Sequence, residues 1–237
     1  MLLTAPTVST PLPVLYSFRR CPYAIRARMA MAVAGQPAEL REVLLRDKPQ
    51  AMLEAGQRGT VPLLVLPDRT VLEQSVEIMD WTLRRRDPQG WLAQRDDPRL
   101  MGLLDANDGP FKRALDQYKY PDRFPGSSEV ATAKDRALAH LQRLDEQLCR
   151  DAYLGGEAPG YFDAALFPFV RQFAAVDRAW FSSLSLGPLV AWWAAMLAHP
   201  AFTTVMAKVP VWQPGAPATE FLATLQHATA PDHDPIK

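Results

Sequence analysis

The feature that most constrains this 237-residue chain is an asymmetry: every strand-like segment lies before about residue 87. Residues 14–18 (VLYSF) read as a short strand, and 22–33 as an alanine-rich helix of strong helix formers, with Gly35 as its stop. Residues 39–45 predict a second strand, and 49–55 a short helix closed by Gly56. Residues 61–66 and 70–73 predict a hairpin turning at Asp68-Arg69. Ser75 is then expected to cap a helix running to about Arg86, with Val76, Met79 and Leu83 at helical spacing. The order strand-helix-strand-helix-strand-strand-helix predicts an α/β domain over residues 13–87.

The remainder has a different pattern. Residues 88–99 are polar, with prolines and a glycine, and predict a linker. Residues 100–225 show no strand pattern and predict an all-α bundle of about five helices. One covers 100–118, interrupted near Gly109-Pro110. A long amphipathic one covers 128–150, with Val130, Ala133, Ala137, Leu141, Leu144 and Leu148 on one face. Another covers 163–176, and 188–198 (PLVAWWAAMLA) is apolar nearly all round, which predicts burial in a core. Phe167, Phe169, Trp192 and Trp193 are expected in that core. Residues 1–12 are expected to form a loose arm and 226–237 a frayed tail.

Within the first domain, SFRRCPYAIRARMAMAVAG sets a cysteine directly before a proline at the mouth of a helix. Proline fits the first helical turn and pushes the residue before it out of the helical region, so Cys21 is expected at the N-cap and Pro22 at the first helical position. Unpartnered N–H groups and the helix dipole favour a thiolate there. A helix terminus contributes about 0.3–1 kcal/mol, up to ~2 in a favourable site, enough to lower a thiol pKa by at most about 1.5. Arg19, Arg20, Arg26 and Arg28 are candidates to add to this, and spacing does not choose among them. The plainer reading of Cys21 is a small buried core residue, though a cap beside a loop is a poor place to bury a side chain. The motif is Cys21-Pro22-Tyr23-Ala24, without the second thiol of a Cys-x-x-Cys pair. A mixed disulfide formed at Cys21 therefore needs an external thiol to resolve it, and glutathione is the obvious candidate.

Composition excludes other classes. Lysine plus arginine and aspartate plus glutamate are 26 each, so the charge balance does not support a nucleic-acid binder. Two distant cysteines exclude a disulfide scaffold and suit a reduced, cytoplasmic setting. The four histidines (His140, His199, His227 and His233) lack metal-ligand spacing, so no metal is expected. No apolar run reaches transmembrane length.

Over nearly its whole length the chain resembles the cytosolic glutathione transferase superfamily. Cys21-Pro22-Tyr23-Ala24 resembles the active-site loop of the omega class and of glutaredoxins; Thr60-Val61-Pro62 resembles the cis-proline turn; Glu73-Gln74-Ser75 resembles the Glu/Gln-Ser pair that opens the third helix. Gly155-Gly156 followed by Asp163 in PGYFDAALFPFVRQF resembles the signature helix of the second domain, with Gly160 where a serine or threonine usually caps it. The resemblance implies a thioredoxin-like N-terminal domain and a helical C-terminal one. It also implies glutathione as co-substrate, bound by Tyr23, Lys48, Val61, Pro62, Gln74 and Ser75. In it, the Val61 backbone pairs with the cysteinyl part, Gln74 and Ser75 take the γ-glutamyl carboxylate, and Lys48 reaches the glycyl carboxylate. A two-fold dimer is implied on the same basis. Asp163 is assigned to folding.

Three functions stay open on the sequence. In the first, Cys21 is the catalytic nucleophile of a thiol transferase or reductase. In the second, a hydroxyl of Tyr16 or Ser17 activates glutathione for conjugation to electrophiles. The third is a non-catalytic binding protein on the same fold. The second substrate, a small electrophile or a glutathionylated compound, is expected between the domains, near Asn107, Phe111, Tyr118, Arg171 and Trp180. Cys149 is expected to be inert.

Overall fold

Residues 11–222 are described by a computed structural model; the expected tail and all but the last two residues of the expected arm lie outside them. Strand β1 (Val14–Ser17) is buried at three successive positions, Leu15, Tyr16 and Ser17, as a strand covered on both faces must be. It passes into α1 (Pro22–Ala34), which ends at Gly35 with φ +65°, the left-handed turn that glycine takes without strain. The crossover returns to β2 (Glu39–Glu42), parallel to β1 in the register Val14↔Glu39 to Ser17↔Glu42. After α2 (Gln50–Ala55), β3 (Leu63–Val65) and β4 (Val71–Leu72) add an antiparallel hairpin, and α3 (Ser75–Arg85) follows. The strands are shorter than expected because the ladder, and not the apolar run, sets their ends. Helix α3 also starts one residue off: Gln74 is the N-cap, its N–H donating to Glu77 Oε2 at 3.2 Å, and Ser75 is the first helical residue.

The segment expected as linker holds a 3-10 turn, Trp91–Gln94, whose Trp91 is buried. Seven α-helices follow among the described residues, against the five expected. They are α4 (Pro98–Ala106), α5 (Lys112–Lys119), α6 (Ala133–Leu148), α7 (Tyr161–Ala174), α8 (Arg178–Ser182), α9 (Gly187–Ala198) and α10 (Pro200–Val205). The excess comes from short helices between turns, too brief to show a period. The interruption expected near Gly109-Pro110 is a π-helical turn, Asn107–Phe111, joining α4 to α5. Proline cannot continue α-helical bonding, and a wider turn accommodates it. Helix α6 buries the expected stripe from Ala133 to Leu148.

Two expectations are corrected here. Helix α9 buries only Leu189, Trp192 and Met196 and exposes Ala191, Ala194, Ala195 and Ala198. Its exposed apolar positions are all alanine, which costs little to leave in water; Trp193 is only partly buried. The second correction is a strand after residue 99. β5 (Thr219–Glu220) pairs antiparallel with β2, giving a five-stranded sheet in the order β4-β3-β1-β2-β5. Trp212 N–H donates to the Glu42 carbonyl (2.8 Å) and Phe221 N–H to that of Ala38 (2.8 Å), with the Phe221 ring buried.

Helix α1 is the pivot of the molecule. It packs on α3 on one side and on α7 and α10 on the other, so one core runs from Leu15 and Ile25 through Phe167 and Phe169. Each fully buried phenylalanine contributes roughly 1.5–3 kcal/mol. Across the sheet, a smaller cluster of Tyr16, Val43, Met52, Val61 and Leu63 holds α2. Among the described residues no helix is long and apolar enough to cross a membrane.

Candidate active site

Cys21 sits at the N-cap of α1 with extended backbone (φ −70°, ψ 122°), and its carbonyl accepts from Ile25 N–H at 2.9 Å. The loop before it is closed by Cys21 N–H donating to Phe18 O at 3.0 Å. The half-buried sulfur lies 3.6 Å from the Val61 carbonyl oxygen, to which the thiol donates, and Val61-Pro62 is cis. Around the sulfur, burial pushes the thiol pKa up; the N–H groups of Ala24 and Tyr23 and the charges of Arg28 and Lys112 act against this but do not outweigh it. The lowering of the thiol pKa expected from the helix terminus is thus outweighed by burial. The helix terminus pulls in the expected direction, but the sequence carries no measure of how much protein covers the sulfur.

The arginines divide their tasks. Arg28, wholly buried, donates to the Ser17 hydroxyl and to Arg19 O (2.7 Å), and is the arginine whose charge bears on Cys21. Arg26, also wholly buried, donates from Nε to Ala165 O (2.8 Å) on α7, from Nη1 to Ser75 Oγ (3.3 Å), and from Nη1 and Nη2 to both oxygens of Asp108 (2.8 and 2.7 Å). Phe169 and Tyr23 lie against its guanidinium at 4.7 and 5.5 Å. A single side chain of α1 thereby fixes the start of α3, the π turn and α7.

The seven residues expected at the thiol and glutathione positions (Cys21, Tyr23, Lys48, Val61, Pro62, Gln74 and Ser75) line one cavity of about 550 Å³. Sequence reasoning missed Arg58, Glu73 and Asp108 on its walls. Glu73 is fixed by accepting from Arg58 N–H at 2.8 Å. Asp108 reaches the cavity only through pairing with Arg26, 82 positions away, for which the sequence holds no local signal. Tyr23 packs edge-on against Phe169 (4.8 Å), and burial together with the Asp108 charge pushes its phenol up to about 12, so it stays protonated.

A second cavity of about 310 Å³ also has Cys21 and Tyr23 in its wall, with Phe18, Arg20, Lys112, Lys119, Tyr120 and Arg171. Of the residues expected near the second substrate, the structure brings only Arg171 here. Asn107 and Phe111 are buried, Phe111 between His140 (4.6 Å) and Phe173 (5.8 Å). Tyr118 and Trp180 pack on Phe173, with Lys134 over the Trp180 ring at 3.6 Å. Helical spacing shows that a residue recurs on a face, not which neighbour that face meets. The candidate hydroxyls are likewise engaged elsewhere. Tyr16 is 2% exposed and its hydroxyl accepts from Arg41 Nη1 at 2.6 Å, and Ser17 is fully buried against Arg28; neither lines either cavity.

The sequence pattern of the glutathione S-transferase N-terminal domain matches residues 15–90, and that of the glutathione S-transferase C-terminal domain matches residues 110–200. The chain belongs to the glutathione S-transferase family. It is a glutathione S-transferase-like enzyme, with the thioredoxin-like sheet domain and helical second domain of that family. Glutathione S-transferase omega-1 of Rattus norvegicus is 24% identical over 173 residues, covering 69% of this chain and 68% of that protein. Glutaredoxin 2 of Escherichia coli (strain K12) is 25% identical over 186 residues, covering 68% and 85%. The solved tau-class glutathione S-transferase of mango, Mangifera indica, superimposes with a TM-score of 0.69 at 20% identity, covering 84% of this chain and 94% of that one. In this transferase the cysteine motif, the cis Val61-Pro62 bond and the Gln74-Ser75 helix start share one cavity.

Proposed function

We propose that this transferase is a glutathione-dependent thiol transferase with Cys21 as its nucleophile. The observation that carries the reading is that a thiol stands between the two cavities while the neighbouring hydroxyls of Tyr16 and Ser17 are engaged elsewhere. The names of two relatives, an omega-1 transferase and a glutaredoxin, fit it.

The larger cavity suits the tripeptide. Glutathione carries two carboxylates and one ammonium, and the walls offer Lys48 and Arg58 as cations and Asp108 and Glu73 as anions. Gln74, Ser75 and the free N–H groups opening α3 receive the γ-glutamyl carboxylate. Asp108, joined to Ser75 through Arg26, faces the adjacent ammonium. The Val61 backbone pairs with the cysteinyl unit, beside Pro62 and Tyr23, and Lys48 with the glycyl carboxylate. Glutathione is the co-substrate, and no metal takes part.

The Cys21 thiol gives up its proton to solvent, and the charge left on sulfur is met by the N–H groups of Tyr23 and Ala24 and by Arg28 and Lys112. The thiolate attacks the glutathione sulfur of a mixed disulfide. The substrate S–S bond breaks, its thiolate leaves and takes a proton from water, and Cys21 holds the glutathionyl group. Glutathione thiolate then attacks that disulfide, giving oxidised glutathione and free Cys21. The net reaction converts a glutathionylated thiol and one glutathione into a free thiol and glutathione disulfide. Reduced glutathione is abundant in the cytoplasm, where we place the enzyme, as a homodimer.

Cys21→Ser tests the assignment. Disulfide reduction should fall at least 1,000-fold, while Cys149→Ser, at an exposed position, leaves it unchanged. Retained conjugation of electrophiles by Cys21→Ser with retained reduction would favour hydroxyl activation. No glutathione binding by calorimetry would favour a non-catalytic protein.

A further inference from the structure

The two cavities that share Cys21 differ in charge. Around the smaller one stand Arg20, Lys112, Lys119 and Arg171, with a single carboxylate, Asp116, already paired with Lys112. Within the wall, three cations are therefore left without a carboxylate partner, although the charge of Arg20 also acts on Glu42 outside it, in a chain whose formal net charge is zero. Arg171 on α7 is the most telling. It is half-buried, it meets no carboxylate among the described residues, and its guanidinium lies over the face of Phe202 at 5.4 Å. Burial and the charges of Arg178, Arg19 and Arg28 push its pKa down to about 10, so its surroundings already disfavour the positive charge it carries. A half-buried cation among cations is costly, and a bound anion relieves it. The aromatic rings of Phe18 and Tyr120 form the apolar part of the same wall.

Resting on the thiol-transferase reading, we propose that this cavity holds the departing half of the mixed disulfide, and that this half carries an anionic group set against Arg171, with Arg20 and Lys119 beside it. The glutathionyl half lies in the larger cavity and Cys21 at the junction, so the attacked bond spans the boundary between them. The substrate class is then a glutathionylated thiol with a carboxylate or similar anion on an apolar stem, rather than a neutral hydrophobic compound.

A matched pair of substrates tests this: the mixed disulfide of glutathione with 4-mercaptobenzoate, and the same compound as its methyl ester. Each kcat/KM is divided by the uncatalysed rate with glutathione, which removes the difference in leaving-group strength. The native enzyme should favour the acid tenfold or more, and Arg171→Met should lower the acid's value at least tenfold more than the ester's. Lys119→Gln, at a half-exposed position, should narrow the preference in the same direction and guards against misfolding of the first variant. Equal treatment of acid and ester by the native enzyme, or an equal loss on both in Arg171→Met, overturns the proposal. Calorimetry with S-(4-carboxybenzyl)glutathione and its methyl ester needs no turnover. A tenfold tighter binding of the acid supports the anion site even if Cys21→Ser remains an active reductase, whereas equal affinities overturn the site and leave the reductase reading standing.

Discussion

At the scale of single residues, the decisive contest is between a helix terminus and burial at Cys21. Two N–H groups and two cations favour the thiolate, yet desolvation prevails and the thiol is pushed up. Alkylation of the ligand-free protein by iodoacetamide should therefore keep accelerating as pH rises past the ordinary thiol value of about 8.5. A plateau reached below pH 7 would contradict this balance. The cysteine motif was legible because proline fixes local backbone geometry whatever the fold. Asp108 and Arg58 were not, because their places depend on contacts between distant segments. Arg26→Met should remove the bonds to Asp108 and to Ala165 O, destabilising the protein by about 1–3 kcal/mol, since Asp108 is partly exposed and still accepts from Asn107. Adding Asp108→Asn should recover part of that loss, read from urea denaturation of the double-mutant cycle.

At the scale of elements, α7 is held by a carboxylate rather than by a capping hydroxyl. Gly160 offers no side chain, and Asp163 accepts from the N–H of Gly160 (2.9 Å) and Leu154 (2.9 Å) and from Trp192 Nε1 (2.7 Å). Asp163→Ala would leave two buried donors unpaired at roughly 1–3 kcal/mol each, besides the half-buried Gly160 N–H, so a loss of about 2 kcal/mol or more is expected in thermal or urea unfolding. Burial nevertheless pushes the Asp163 carboxyl up to about 6. Its folded pKa exceeds the unfolded one, so its contribution is full below about pH 4 and is lost as pH rises through about 6. Asp163→Asn, which cannot titrate, should show a deficit relative to the native protein that narrows over that window; a deficit independent of pH would contradict the shift. Helices with long apolar stripes, such as α6, were legible from period alone. The exposure of α9 was not, since alanine and tryptophan count alike as apolar while only the larger side chains are buried.

At the scale of the whole molecule, the division into a sheet part and a helical part followed from where strand patterns stop. The return of the chain to the sheet did not, because a two-residue strand has no period to read. That return makes β5 and Phe221 part of the framework behind β1, which leads into the cysteine loop, and β2, whose Glu42 accepts from the Arg19 N–H of that loop. Phe221→Ala should destabilise the protein by about 3–5 kcal/mol, measured by urea denaturation. The proposed mechanism requires the glutathionyl group to pass through Cys21. The direct measurement is intact-mass and peptide mass spectrometry of the protein mixed with a glutathionylated substrate in the absence of free glutathione. One glutathionyl adduct per chain is expected, on Cys21, removed when glutathione is added. Substrate turnover with no adduct at Cys21, or undiminished in Cys21→Ser, would contradict it.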